Sequence, residues 1–154
     1  MREMLTLFFE IELESESVSN DGCLTWFIDD IFRKMAEGIH INSPSFKLSE
    51  DGQRFWIRLY PKSDNNDRTM SIYAYFNIPV HGRFQGNIEF AIYDQTTNQS
   101  PQHYIKNCEG EMSDVATPLG LDNFVEHDWI HQPNNPCVRD GSICVKIRIT
   151  ERRQ

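Results

Sequence analysis

The sequence predicts an all-β fold, an antiparallel sandwich carrying one short helix near residues 29–37. Three observations predict it. Apolar and polar residues alternate with period two in several runs, and each run has one clean apolar face. Clusters of Gly, Pro, Asn and Asp punctuate those runs. No long helical pattern stands between them to carry a parallel crossover. With 39% hydrophobic residues, ten Phe, five Tyr and three Trp in 154 residues, one core can be filled without disulfide or metal staples.

At the N-terminus two periods compete. Leu5, Leu7, Phe9, Ile11 and Leu13 alternate as a strand, while Met4, Leu7 and Ile11 fit a heptad seam that Glu14 interrupts. Residues 1–19 are read as an N-terminal extension, a strand or the end of a coiled coil, and residues 20–154 as one domain. The helix follows: Asp29 or Asp30 can cap it, Ile31 to Glu37 supply its turns, and Gly38 can take the left-handed C-terminal position. Phe55, Ile57 and Leu59 then alternate with Arg54, Trp56, Arg58 and Tyr60. Met70, Ile72, Ala74 and Phe76 alternate with Ser71, Tyr73 and Tyr75, so the two runs read as a hairpin. Its loop, residues 61–69, is rich in turn formers, and Pro61 ends the first strand because it has no N–H for the ladder. Ile88, Phe90 and Ile92 repeat the pattern, as do Ile143, Val145, Ile147 and Ile149. No internal repeat or linker divides the chain.

A net charge of -8 with pI near 5.0 disfavours nucleic acid and anionic membranes, both of which select basic patches. The opening Met1 to Phe9 is too short an apolar run for a signal peptide, and nothing reaches transmembrane length, so a cytoplasmic site without membrane insertion is expected. Cys23, Cys108, Cys137 and Cys144 form no Cys-x-x-Cys pair and read as reduced thiols. The Asn98-Gln99-Ser100 sequon serves only a secreted chain.

No cofactor or catalytic group is expected. His127, His131 and Cys137 match no common zinc spacing and lie in a Pro/Asn-rich loop. His103 and Cys108 are near in sequence, which does not make them a base and a nucleophile. Asp64 to Asp67 supply oxygens without the order of a calcium loop. Glycine-rich phosphate loops and a Gly-x-Ser-x-Gly elbow are absent. What remains is the outward face of the hairpin, where Arg58, Tyr60, Tyr73 and Tyr75 fall together. Tyr and Arg are enriched at protein interfaces, and rings also simply cover sheets; the pattern leaves both readings open.

A set of ordered motifs adds to this. Asp21-Gly22-Cys23-Leu24-Thr25-Trp26-Phe27-Ile28 is similar to an Asn/Asp-Gly-x-x-x-Trp-x-Ile opening, and Ser43-Pro44-Ser45-Phe46 to a Ser-Pro-x-Phe landmark. Trp56 to Tyr60 fit an Arg-x-Tyr strand, Met70 to Tyr73 a Leu-Ser-Leu-Phe strand, Ile92 to Gln95 a Leu-Leu-Asp-Gln strand, and Val138-Arg139-Asp140 a Val-Arg-Asp-Asp turn. The set, over about Asp21 to Thr150, resembles the MATH domain, specifically the C-terminal receptor-binding domain of the TNF-receptor-associated factors, the TRAF adaptors.

The resemblance implies an eight-stranded antiparallel sandwich that is not an enzyme. It implies binding of extended peptides from receptor cytoplasmic tails or signalling adaptors, added as a strand to a sheet edge. By position it assigns Arg58 and Tyr60 to an acidic or Gln/Glu side chain of the peptide, Tyr73 to an apolar pocket, and Asp64 to the distal end. Gly120 and Leu121, in a Gly-x-x-x-Phe spacing with Phe124, would lie on the edge strand, Gly120 letting a peptide backbone come close. Cys108 stands where an aromatic pocket wall is expected. Ser113 is the one serine where the family subset carries a serine run, among Glu109, Glu111 and Asp114, an acidic rim that would shift the motif preference. The same resemblance implies a coiled-coil homotrimer in the full-length protein, or alternatively the substrate-recognition domain of a ubiquitin ligase or deubiquitinase.

Overall fold

Residues 16–18, 21–48, 52–76, 84–113 and 117–152 are described by the computed structural model. The alternating runs form strands because their β-branched and aromatic side chains fit a pleat with one buried face. The order is β1 (Glu16–Val18), β2 (Cys23–Ile28), α1 (Ile31–Glu37), β3 (Ile41–Asn42), β4 (Phe46–Lys47), β5 (Arg54–Tyr60), β6 (Thr69–Phe76), β7 (Phe84–Ile92), β8 (Tyr104–Met112), β9 (Leu119–Glu126), α2 (His127–Ile130) and β10 (Ile143–Glu151). Eight strands have three residues or more, and β3 and β4 are two-residue pieces along one side of β5.

All pairings are antiparallel and make two sheets, β1-β2-β10-β7-β8 and β3-β5-β6-β9, with β4 also on β5. The hairpin of β5 and β6 has the expected register, Ile57 opposite Ala74 and Leu59 opposite Ile72. Its inward residues Phe55, Ile57, Leu59, Met70, Ile72 and Ala74 are buried in one core with Leu24, Trp26, Ile28, Ile88, Phe90 and Ile92, and with Ile143, Val145, Ile147 and Ile149 of β10. Each large apolar side chain so buried contributes about 1.5–3 kcal/mol. No helix among the described residues is long and apolar enough to cross a membrane. The alternation at Leu5 to Leu13 lies outside the described residues.

The expected cap of α1 is corrected. Asp30 precedes the helix with φ 54 and makes no side-chain cap bond. The first helical N–H, of Ile31, instead donates to the Gly141 carbonyl at 2.8 Å, and Asp29 accepts from the Ser142 hydroxyl at 2.7 Å. A tertiary acceptor thus replaces the local one. Gly38 does end the helix left-handed, at φ 74, donating its N–H to Lys34.

Several motif residues prove to shape loops. Where Pro44 interrupts the ladder between β3 and β4, the Ser43 hydroxyl accepts the Ile57 N–H at 2.9 Å. The Asp94 carboxylate collects the Thr96 N–H, the Thr96 hydroxyl and the Gln102 N–H, which hold it below the usual carboxylate range. Gln95 donates to the carbonyls of Cys137 and Ser142. Asp140 and Gly141, at φ 52 and 75, form the two-residue turn that closes Arg139 onto Ser142.

Candidate functional site

Period-two alternation sends every second residue of β5 and β6 to the outer face of the second sheet, and the register lines them up. Asn42, Arg58, Tyr73 and Gly120 make one row across β3, β5, β6 and β9. Trp56 and Tyr75 make the next, their rings stacked at 4.4 Å and 10°. The Arg58 guanidinium lies 5.0 Å from the Trp56 ring and 5.6 Å from that of Tyr75, and its Nε donates to Asn42 Oδ1 at 2.9 Å. Arg58 is therefore held by two rings and an amide, and no hydrogen bond among the described residues engages its two terminal amino groups.

Tyr60 meets Tyr73 edge-on at 5.9 Å and His40 at 5.7 Å. The Tyr73 hydroxyl donates to Asp122 Oδ1 of β9. Burial first, and this bond second, push the Tyr73 phenol up to about 12. Tyr75 is also raised, by burial and by Tyr60, with Arg58 opposing.

Strand β9 is bulged beside this cluster. Met70 pairs with Val125 and Ile72 with Leu121, so Ser71 alone faces Asp122, Asn123 and Phe124. The buried Ser71 hydroxyl, 2.6 Å from the Asp122 carbonyl and 2.7 Å from the Ser63 hydroxyl, carries one proton; it donates to Asp122 and accepts from Ser63. Gly120 also has a packing reason to lack a side chain. A Cβ on it would lie 2.0 Å from the Ile72 carbonyl oxygen and 2.6 Å from Tyr73 Cα, so the space a side chain would need is taken by β6.

Of the residues expected at the site, Arg58, Tyr60, Tyr73 and Gly120 come together. Cys108 of β8 joins them from the facing sheet, with Sγ 3.3 Å from the Gly120 carbonyl and its thiol raised by burial. Leu121 is half-buried against the core. Asp64 is exposed in the loop between β5 and β6, and Ser113 is exposed just past β8; no hydrogen bond or ring contact among the described residues joins either to the cluster. Sequence reasoning missed Asn42 and Asp122. Asp122 had a signal: two residues after Gly120, it falls on the same face.

The candidate metal and thiol groups are directed apart. His127 Nε2 is 2.6 Å from the Pro61 carbonyl, His131 stacks on Phe32 at 4.9 Å, and Cys137 is buried against the carbonyls of Ile92 and Gln102. His103 stacks on Tyr93 at 3.8 Å and accepts the Asp94 N–H, away from Cys108. No group of three metal-ligating side chains occurs among the described residues.

The sequence profile of the MATH domain matches residues 23–149. A search of curated proteins returned no match. Among solved structures, TRAF5 of Notothenia coriiceps superposes with a TM-score of 0.72 at 18% identity, covering 97% of this chain and 83% of that one. At that identity the likeness concerns the fold, two antiparallel sheets in a sandwich with a short helix. The profile match over most of the chain settles the family: this chain belongs to the MATH domain family, whose members are protein-interaction domains.

Proposed function

We propose that this domain is a non-catalytic adaptor that binds extended peptides of receptor cytoplasmic tails or signalling adaptors, in signalling of the TNF-receptor type, by adding them along β9. The row Asn42, Arg58, Tyr73 and Gly120 carries the reading, because it leads from a fixed guanidinium across the outer face to a strand that, among the described residues, is paired on one side only. Backbone pairing along β9 supplies general affinity. Arg58, with its stem and Nε already engaged, offers two donors to a carboxylate or amide of the guest without first losing rotamer freedom. Tyr60 and Tyr73 line the adjoining apolar surface. Asp122, bonded to Tyr73, lies nearby and disfavours acidic guest residues beyond the Arg58 position. The reading places the protein in the cytoplasm and includes threefold display by a coiled coil, which would make weak single-site binding effective on clustered receptors.

The test is a peptide array of receptor-tail and adaptor segments probed with the protein and with the Arg58→Glu, Tyr60→Ala variant. Both side chains lie on the outer face, so the variant is expected to fold and to lose the captured peptides. A folded variant that keeps them removes the groove from consideration.

A further inference from the structure

Strand β9 has β6 on one side, and on its other side three of its carbonyls are occupied by side chains of β8, the edge strand of the opposite sheet. The Tyr104 hydroxyl donates to the Phe124 carbonyl at 2.7 Å, Lys106 Nζ to the Asn123 carbonyl at 2.9 Å, and the Cys108 thiol to the Gly120 carbonyl at 3.3 Å. These residues are two apart in β8, so one face of that strand supplies all three.

The three caps differ in strength. The ammonium of Lys106 makes a charge-assisted bond, about twice as strong as a neutral one. Tyr104 is held by its ring as well, edge-on to Phe124 at 5.9 Å and 4.6 Å from Trp129, so its hydroxyl cannot swing away without disturbing the core. A thiol is a weak donor, and an incoming amide N–H displaces it at little cost. The edge is therefore open to exchange at Gly120 and closed at Asn123 and Phe124.

We propose that β9 is a half-closed edge: a guest strand pairs beside Leu119 to Leu121 only and must leave the sheet at Asp122, so the domain takes a short extended segment and rejects longer strand pairing, including pairing with a second copy of β9. This rests on the peptide-binding reading for its guest, but the closure itself is a property of the edge. Its consequence for recognition is that residues C-terminal or N-terminal to the paired segment add contacts through side chains, not through further ladder bonds.

The experiment uses a captured array peptide in nested lengths, titrated into the parent protein and into a Tyr104→Phe, Lys106→Met variant, which keeps ring and stem while freeing both carbonyls. In the parent, lengthening the guest past the segment beside Leu121 is expected to change Kd by less than about twofold. In the variant the same extension should tighten binding by about fivefold or more, the equivalent of one net hydrogen bond. Extension that tightens both proteins alike, or neither, overturns the half-closed edge. If neither protein binds any peptide, the groove reading fails on its own, and the edge is then judged by sedimentation: greater self-association of the variant than of the parent supports closure, and equal association refutes it.

Discussion

Replacing Gly120 by alanine puts a methyl group where β9 meets β6, and the cost follows from three distances. The new Cβ would lie 2.0 Å from the Ile72 carbonyl oxygen, 2.6 Å from Tyr73 Cα and 2.8 Å from Tyr73 Cδ1, whereas ordinary contact begins at 3.4 Å. The first requires 3.4 − 2.0 = 1.4 Å of movement. Strand β6 cannot yield it, being paired along its other side to β5 from Phe76 back to Ser71. Strand β9 must move, which strains the ladder at Tyr73–Gly120 and Ile72–Leu121. Overpacking against backbone together with weakened ladder bonds amounts to about 3 kcal/mol, which in a domain of this size lowers Tm by about 6–12 °C. The assay is thermal unfolding by circular dichroism, with Gly110→Ala beside it. There the obstacle is Leu119 Cδ1 at 2.8 Å, the end of a rotatable side chain, and the loss should stay near about 1 kcal/mol. A Gly120→Ala protein that melts within about 2 °C of the parent would refute the packing explanation and leave clearing space for a guest as the role of Gly120.

Other outcomes follow from the same coordinates. Ser71→Ala leaves the Asp122 carbonyl in the bulge without its donor and should lower stability by about 1–3 kcal/mol, read as a shift in the urea midpoint without change in slope. The Tyr73 phenol, ordinarily at 10.0 and here raised to about 12, favours folding through its protonated form. That contribution is intact below the unfolded value and lost as pH rises through the folded one, so stability should fall between these two pH values, and Asp122→Ala should move the phenolate absorbance transition downward. The four cysteines are free thiols in the structure, and Cys137 is buried with its thiol pushed up to about 11; a thiol reagent should count four groups in urea and reach Cys137 last in the native protein.

The alternating strands were legible because each has one wholly apolar face: the Phe55, Ile57, Leu59 run and the Ile143 to Ile149 run appear as β5 and β10 with the faces expected. Strand β8 was not, because its inward face is Tyr104, Lys106, Cys108, Gly110 and Met112, which mixes a cation and a glycine into an apolar period. Tyr104, Lys106 and Cys108 meet the edge of the other sheet, where polar caps accompany core packing, while Met112 is buried in the core. Strand β9 carries no readable period for a similar reason, since its bulge breaks the alternation at Asp122 to Phe124, and only the motif resemblance placed an edge strand at Gly120 and Leu121. At the site, Arg58, Tyr60 and Tyr73 could be read from the hairpin alone, whereas Asn42 and Asp122 depend on which strands flank it, a fact that no local period encodes. The helix cap was misread because Asp29 and Asp30 look like a local solution, while the acceptor comes from Gly141, far along the chain.

The placement of β10 between β2 and β7 bears on how the protein is made. Ile143 pairs with Ile28, 143 − 28 = 115 residues earlier, and the same strand then pairs with β7 from Ile92 to Gly86. Until β10 itself leaves the ribosome, β2 and β7 have no strand between them and the first sheet cannot close. Closing so long a loop is slow, and the waiting strands expose their apolar faces meanwhile. Synthesis rate and chaperone supply should therefore govern the yield of this domain more than its final stability does, and a stop codon placed before Ile143 should give chains that aggregate rather than a smaller folded core.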